Sequence, residues 1–550
     1  MSDLTFSDFS AWMDQLSLTS SRNSKLRLIA DYLSRPQSTE DRGYALALLT
    51  GELDLQLVGA SKIRGLAKSK TDEALFKISY DYVGDMGETI ALIWPDADQI
   101  TEPLPTLADL INQLKSLTPL ERLPFIDRFL DRCRPRERWI FTKLVTGSSL
   151  RIGLSARLAK TGLAQWAGKS LEEIEQVWSA FAPPYTLFME WLEGKVNRPD
   201  TSGTLHFHPL LLANSFEEKD LNNKDPNDYW AEWKWDGIRV QWVGSEEAGM
   251  KLYTRTGDEI SESFPEIVSG TGVDLVADGE LLIRSEGLHL EKEKPSDSPV
   301  PFQVEDFAVL QKRLGRKSPS PELMQDSPAF LCLYDLLMVD GRDLRTLGLT
   351  ERRQHLERVY VEKGLQARGF QLSPVLPVDS WEAIDELRSK TRAWNLEGFM
   401  LKKKDSEYRS GRPQGYWYKW KRDPLIIDTV MLYGQRGSGK RSSFYSDFTF
   451  GVWDGDQLVT VGKAYFGFTD EELTQLDKWV REHTTERYGA SVRAVKPELV
   501  LEIAFDSLQV SERHQSGVAM RFPRIHRIRW DKPAEEANTL EELKRLLPST

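Results

Sequence analysis

Residues 232–239 read EWKWDGIR, and the continuation IRVQWV alternates apolar and polar side chains as a half-buried strand does. Lys234 therefore stands two residues before the bend Asp236-Gly237, on a rigid segment. A lysine held in that way can act as a nucleophile if its surroundings free the amine. An ordinary lysine of pKa ~10.4 is neutral about once in 2500 molecules at pH 7, a handicap of ~4.6 kcal/mol that a cationic or metal-bearing pocket must remove. A surface lysine beside a turn would be spelled the same way, so the rest of the chain has to decide.

Downstream, separate pieces of strand and turn supply the charged groups that a phosphate chain requires. YTRTGDE (253–259) offers Arg255, VADGELL (276–282) offers Asp278 and Glu280, FLCLYDLLMVDG (330–341) offers Tyr334, and LEGFMLK (396–402) offers Glu397 and Lys402. In WYKWK (417–421) the period of two puts Trp417, Lys419 and Lys421 on one strand face, so two ammonium groups can address one polyphosphate. RIRWDKP (527–533) adds Arg529, Asp531 and Lys532. Each piece alone reads equally well as a common turn, a core aromatic or a lysine-guarded strand edge. As an ordered set they are far more specific.

The chain around these pieces changes character twice. Residues 1–200 read as an all-α domain: SKLRLIADYL, RGYALALLTGEL and SLEEIEQVWSAF carry apolar residues at three- and four-residue spacing. After Pro183-Pro184 and the polar segment GKVNRPDTSG, short alternating runs broken by Gly and Asp predict an α+β domain over 205–422, with EKEKPSDSPVP as a surface loop. From Asp423 to the end, LIIDTVMLY, FTFGVW, LVTVGKAYF and LVLEIAF, interrupted by the helical DEELTQLDKWVREH, suit a five-stranded OB-fold β-barrel over 423–550. The chain is thus multidomain.

The 550 residues are 40% hydrophobic, enough for a core in each domain. Two cysteines, Cys133 and Cys332, exclude a disulfide framework and a four-cysteine zinc module. With no apolar run near ~20 residues and no basic-then-apolar start, the expectation is a cytoplasmic protein without membrane association. The net charge of -12 argues against indiscriminate polyanion binding, but local counts reverse the sign. Ten Lys/Arg face four Asp/Glu over 121–160, eight face two over 401–422, and six face two over 511–532. Interleaved with Trp139, Tyr408, Trp417, Trp420 and Phe522, these runs point to a nucleic-acid surface.

The ordered motifs resemble those of the nucleotidyltransferase superfamily of DNA ligases and messenger-RNA capping enzymes, and most closely the ATP-dependent DNA ligases. EWKWDGIR is similar to the adenylation motif, YTRTG to the arginine motif after it, and DGE, YDLLMVDG, EGFMLK, WYKWK and RWDK to the motifs that follow. SRNSKLRLIADYL, SYDYVGDMGETIALIWP and KLVTGSSLRIGLS resemble the helical DNA-binding domain of the longer ligases, so the likeness spans nearly the whole chain. It implies an ATP-grasp-like adenylation core between the helical domain and the OB-fold. The departures are Tyr334 where the family usually has a phenylalanine-type stacking residue, and the bulky Trp530 inside RWDK. Neither removes a charge, and tyrosine stacks as well as phenylalanine.

The resemblance implies sealing of 5′-phosphate/3′-hydroxyl nicks in duplex DNA, in repair or replication, through lysyl-AMP and DNA-adenylate intermediates. Lys234 would attack the α-phosphate of ATP, with Lys419, Lys421, Asp531 and Lys532 also catalytic. Glu232 would read the adenine amino group, Tyr334 would stack on one face of the base and Met400 lie near the other. Arg239 and Glu280 would hold the ribose side, Arg412, Lys419 and Lys421 the phosphates, and Arg255 either AMP or the nick phosphate. Glu280 and Glu397 would place Mg2+, with Mn2+ as a substitute. DNA contacts would come from Arg22, Lys25, Lys143, Arg151, Arg255, Lys440 and Arg441. The layout is most like a bacterial branch associated with a helicase and a nuclease, which makes those the expected protein partners of a monomer working near the nucleoid.

Other readings share some of these motifs. RNA ligases and capping enzymes share the lysine motif but normally lack a helical domain of this size. An NAD-dependent ligase would need the zinc module that two cysteines cannot build, and a DNA-binding repair scaffold would not need every charged group. GQRGSGKR (434–441) imitates a phosphate-binding loop but ends in Arg441 and leads into strand-like SSFYSDFTFGVW, not a helix. It reads as a basic loop toward DNA backbone.

Overall fold

The computed structural model describes residues 4–53, 55–83, 85–95, 103–150, 152–201, 204–285, 299–437, 441, 443–489, 491–512 and 514–547. They form two compact units, one of residues 1–54, 105–110 and 151–422, the other of 55–104, 111–150 and 423–550.

The first unit opens with helices Phe6–Leu18, Arg22–Ser34 and Thr39–Thr50. Each begins where the side chain of Thr5, Ser21 or Ser38 accepts a hydrogen bond from an otherwise unpaired first-turn amide. Phe9, Trp12, Met13 and Leu16 form the buried stripe of the first helix, and Trp12 stacks on Tyr32 of the second at 3.9 Å between centroids. Helices Ala156–Ala167, Leu171–Trp178 and Thr186–Leu192 complete the α region of this unit.

Two sheets follow. Strands β1 (Tyr229–Trp235), β2 (Ile238–Ser245), β3 (Gly249–Thr254), β4 (Leu275–Ile283), β5 (Ala329–Val339), β6 (Leu396–Lys403) and β7 (Trp417–Lys421) carry the site. In one sheet β6 lies between β7 and β1, all antiparallel, with Asn214–Ser215 and Val375–Leu376 at the edges. In the other the order is β3-β2-β4-β5, again antiparallel, edged by Arg342–Asp343 and Gln371–Leu372. Asp236-Gly237 thus carries the chain from one sheet directly into the other. A Cβ on Gly237 would lie 2.5 Å from the Leu281 carbonyl oxygen, so the close crossing requires glycine.

Alternation sends Trp233, Trp235, Phe399 and Leu401 into a core with Trp381 and Ile384 of helix Trp381–Lys390. Val240, Trp242, Leu331 and Leu333 pack with Leu356 and Val359 of helix Leu349–Glu362. A third cluster, including Leu211, Tyr253, Tyr334, Tyr408 and Trp417, draws on both sheets.

The second unit contains helices Ala60–Lys70, Met86–Ile93, Pro119–Arg132 and Pro135–Thr146; the buried Arg138 ties the last three, donating to the carbonyls of Leu130, Trp94 and Pro95. Its strand-rich part has β8 (Leu425–Arg436), β9 (Tyr445–Asp454), β10 (Gln457–Ala464), β11 (Val500–Phe505) and β12 (Arg524–Arg529) in the order β10-β9-β8-β11-β12. The Ile525 amide donates to the Phe466 carbonyl at 3.1 Å, bringing β12 back beside the end of β10 as in an OB-type barrel. Helix Asp470–Glu482 buries Leu473, Leu476 and Val480 in the barrel core.

The barrel also carries a hairpin, Thr484–Tyr488 with Val492–Val495, paired to the second half of β8. The sequence reading lacks it because TTERY shows no apolar alternation. GQRGSGKR begins as the end of β8, and β9 follows at Tyr445 with no α-helix between them among the described residues, while 438–440 and 442 lie outside those residues. Most of the expected surface loop, residues 291–298, also lies outside them. Among the described residues no helix is long and apolar enough to cross a membrane.

Candidate active site

The register of β1, β6 and β7 sets one face of the site. Lys234 lies opposite Gly398, Glu232 opposite Met400, and Met400 opposite Lys419. With side chains alternating along each strand, Glu232, Lys234, Met400, Lys402, Trp417 and Lys419 share that face. They line a cavity of about 370 Å³ whose other wall comes from the second sheet and its turns: Arg239, Thr254, Arg255, Glu280 and Tyr334. Arg412, from the segment leading into β7, joins the lining. The cavity is large enough for a nucleotide-sized ligand.

Lys234 Nζ donates to Glu397 Oε2, and the side chains retain only 21% and 15% exposure. Glu397 reaches the amine because β6 slips register between Leu396 and Gly398, a bulge that re-aims the side chain. Gly398 has φ 131 at this point, and a Cβ there would lie 2.2 Å from the Trp420 carbonyl oxygen. Lys421 Nζ stands 3.7 Å from the same carboxylate, at the cavity edge and half exposed.

Glu232 and Lys402 form a 2.8 Å ion pair, both almost wholly enclosed. The Lys402 ammonium also lies 4.1 Å from the centroid of the Tyr334 ring and 4.5 Å from that of Trp417. Burial holds the Lys402 amine below its ordinary pKa, against the pull of Glu232.

Arg239 donates through Nη1 to the Leu211 carbonyl at 2.7 Å and through Nη2 to Asp278 at 2.8 Å. The fully buried Asp278 carboxylate also accepts from the Tyr408 hydroxyl and, at 3.1 Å, from Gln241. Arg239 Nε is buried and has no partner, so a donor in the cavity wall remains for a ligand.

Cations outnumber carboxylates here. Burial, then Lys421 and Arg412, depress the Lys419 amine; burial, then Arg239 and Arg412, depress Arg255. Burial pushes the Glu280 carboxyl up to about 7, partly offset by Lys234 and Arg239. Such a surplus of positive charge suits a polyphosphate. Glu280 and Glu397 interact electrostatically and are the two carboxylates a hard divalent cation would find, a set that fits magnesium, which usually takes one or two carboxylates with phosphates and waters. No group of three or more potential metal ligands occurs among the described residues.

The structure therefore gathers Lys234, Glu232, Arg239, Arg255, Glu280, Tyr334, Met400, Arg412 and Lys419 around one cavity, with Glu397 and Lys421 beside it. The sequence offers Lys402 only as a charged group of LEGFMLK, and Trp417 and Tyr408 as aromatics of a nucleic-acid surface; the structure instead buries both rings, Trp417 in the cavity lining and Tyr408 on Asp278, while Lys402 pairs with Glu232. The period of two placed Trp417 and Lys402 beside assigned residues, but nothing local marked Tyr408 as a partner of Asp278.

Several expected DNA contacts are placed differently. Lys25 is 5% exposed, and its ammonium donates to the carbonyls of Ile152 and Gly153 at 2.7 and 2.9 Å. Lys143 is 4% exposed and pairs with Asp85. Both amines are spent inside the fold, so neither offers its charge to DNA; they brace the helices instead. Arg22 is exposed, and Arg441 lies 5.4 Å from the Phe468 ring. Arg151 and Lys440 lie outside the described residues. In the second unit Asp531 pairs with Arg529 at 2.8 Å and Lys532 with Asp428 at 2.8 Å.

Three family models match the chain: "DNA ligase N terminus" over residues 5–164, "ATP dependent DNA ligase domain" over 210–421 and "ATP dependent DNA ligase C terminal region" over 441–532. The chain is 29% identical to "Probable DNA ligase" of Koribacter versatilis, with 98% of this chain and 95% of that protein aligned. It is 28% identical to "DNA ligase 1" of Korarchaeum cryptofilum, over 97% and 96% respectively. A solved chain named Pmar-Lig_PreS3 shares the fold at a TM-score of 0.59 and 15% identity, covering 95% of this chain and 99% of that one.

Proposed function

This chain belongs to the ATP-dependent DNA ligases, enzymes that seal nicks in duplex DNA, and from that premise we propose that Lys234 is the residue that becomes adenylylated. The observation that carries the assignment is the Lys234 amine fixed by Glu397 in a cavity with a cationic wall. In the first step Lys234 Nζ bonds to the α-phosphorus of ATP, the bond to the bridging oxygen breaks, and pyrophosphate leaves. The adenylyl group then passes to the 5′-phosphate of the nick. The 3′-hydroxyl attacks that phosphorus and AMP departs.

Lys419, Lys421 and Arg412 neutralise the phosphates, Tyr334 and Met400 flank the base, and Arg239 and Glu280 hold the ribose side. Alignment and charge neutralisation are what phosphoryl transfer demands of a protein. Glu280 and Glu397 would hold magnesium, whose contribution is added charge neutralisation on the phosphates. Asp531 and Lys532 of the RWDK segment serve the first step. The reading extends to a cytoplasmic monomer served by a helicase and a nuclease of its pathway.

Incubation with labelled ATP and magnesium should leave AMP on the protein, and label retained by Lys234→Ala would reject the nucleophile. A nicked duplex incubated with ATP, NAD or no cofactor, beside a nicked RNA, reads the cofactor and substrate.

A further inference from the structure

Part of the nucleotide cavity is held from behind, by helices that contribute nothing to its lining. Arg412 reaches the cavity from segment 408–412, which is tied to the core at Gly411. The Gly411 amide donates to the Leu210 carbonyl at 2.9 Å and the Leu212 amide to the Gly411 carbonyl at 2.7 Å, an isolated parallel bridge centred on Leu211. The Leu211 carbonyl also accepts from Arg239, so Arg412 and Arg239 depend on the same bridge. At the other end of the segment the Tyr408 hydroxyl donates to Asp278, which holds Arg239 Nη2.

Helices Ala156–Ala167 and Leu171–Trp178 reach the back of this segment. The Ser410 hydroxyl donates to Glu175 Oε2 at 3.2 Å, and Arg157 pairs with Glu175 Oε1 at 3.3 Å. A Cβ on Gly411, whose φ is 87, would lie 3.2 Å from Arg157 Nη1, which sets the guanidinium against the bare backbone of the bridge. The Glu175 side chain is only 8% exposed, and an enclosed carboxylate stripped of its partners is strongly destabilising, so the fold holds on to both bonds. Ser179, just past the same helix, donates to the Phe207 carbonyl. Beside these ties a cleft of about 390 Å³ opens between Glu172, Glu175 and Gln176 of the helix and Asp343, Arg345 and Tyr408 of the core. Across that cleft alignment rests on directed polar bonds.

We infer that Glu175 and Arg157 are positioning residues for the nucleotide: they fix Ser410-Gly411, and through that bridge the aim of Arg412 at the phosphates and of Arg239 at the ribose side. The inference rests on the ligase reading for what those two arginines grip, and it gives the helices a share in ATP binding. Lys234 and Glu397 stand on β1 and β6, outside the braced segment, so releasing the brace should loosen the nucleotide without disarming the amine. A contact that strengthens binding is itself strengthened by binding, which links the seating of the helices to occupancy of the cavity.

The test follows AMP uptake by the full chain against ATP concentration for the parent, Ser410→Ala, Ser410→Thr and Glu175→Ala. Ser410→Ala should raise half-saturating ATP about fivefold with the plateau rate within about twofold, as the loss of one hydrogen bond implies. Ser410→Thr keeps the hydroxyl and should restore the parent value. Glu175→Ala also releases Arg157 and should raise half-saturating ATP at least as much, and adding Ser410→Ala to it should change nothing further, because both remove the same bond. Parent-like half-saturation in Ser410→Ala, or a fall in its plateau rate alone, overturns the inference. Hydrogen exchange on the unmodified chain does not rely on variant folding: α,β-methylene-ATP, which binds without transferring AMP, should slow exchange in 171–178 as well as in 408–412. Unchanged exchange in 171–178 overturns the inference. A parent chain that takes up no AMP strikes the ligase reading, and the exchange measurement, which needs no transfer, still decides the brace.

Discussion

Two ion pairs of the same 2.8 Å length, Glu232–Lys402 in the nucleotide cavity and Arg529–Asp531 on the barrel, live in opposite surroundings. The first is sealed at 2% and 3% exposure, whereas Asp531 is 66% exposed. A sealed pair cannot rearrange without leaving a bare charge in an apolar wall. An exposed pair exchanges partners with water at little cost. The cavity is thus built in advance, and the RWDK segment is free to re-form its contacts.

The largest effect should come from the proposed nucleophile itself. Lys234→Ala is expected to lower AMP incorporation from labelled ATP by roughly a thousandfold or more, while nicked-duplex affinity stays within about threefold. Next is Glu232→Gln, which strands the Lys402 ammonium. It should cost about 3–5 kcal/mol in denaturant unfolding, and adding Lys402→Met should restore most of that stability without restoring ATP affinity. If the single variant were as stable as the parent, the contrast between sealed and open pairs would fail.

The open pair predicts the reverse pattern. Asp531→Ala should leave the unfolding midpoint unchanged, and with Lys532→Ala added it should slow self-adenylation about a hundredfold, with much less effect on closing a pre-adenylated nick. Equal loss in both assays would remove the division of labour. Tyr408→Phe takes one hydroxyl from Asp278 and should raise the KM for ATP a few-fold at near-constant kcat, in line with about 1 kcal/mol for one hydrogen bond. The smallest effect is expected at Arg22→Ala, a change of about twofold in duplex affinity that vanishes at high salt.

How much of this was readable depended on distance along the chain. The lysine, its bend and the WYKWK face were legible because period-two alternation and turn chemistry are local. The helical stretches were legible for the same reason. Glu232 and Lys402, 170 residues apart, pair only through the β1–β6 register, which no local pattern reveals. Lys25 and Lys143 stand in SRNSKLRLIADYL and KLVTGSSLRIGLS, whose resemblance to a DNA-binding domain implies DNA contacts, but neither segment discloses the carbonyls or carboxylate that bind its lysine inside the fold. The hairpin Thr484–Tyr488 was hidden by its charged residues, since an exposed strand has no apolar face to show.

The passage of the chain through Asp236-Gly237 joins both walls of the cavity at one short span, packed tightly against the Leu281 carbonyl. Such a joint acts like the rivet of a pair of calipers. If the walls spread to admit or release a nucleotide, displacement is smallest beside Lys234 and grows toward the rim at Arg255 and Arg412. The Lys234 amine keeps its alignment while the entrance varies in width, so passage and aim are governed by different ends of the same lever.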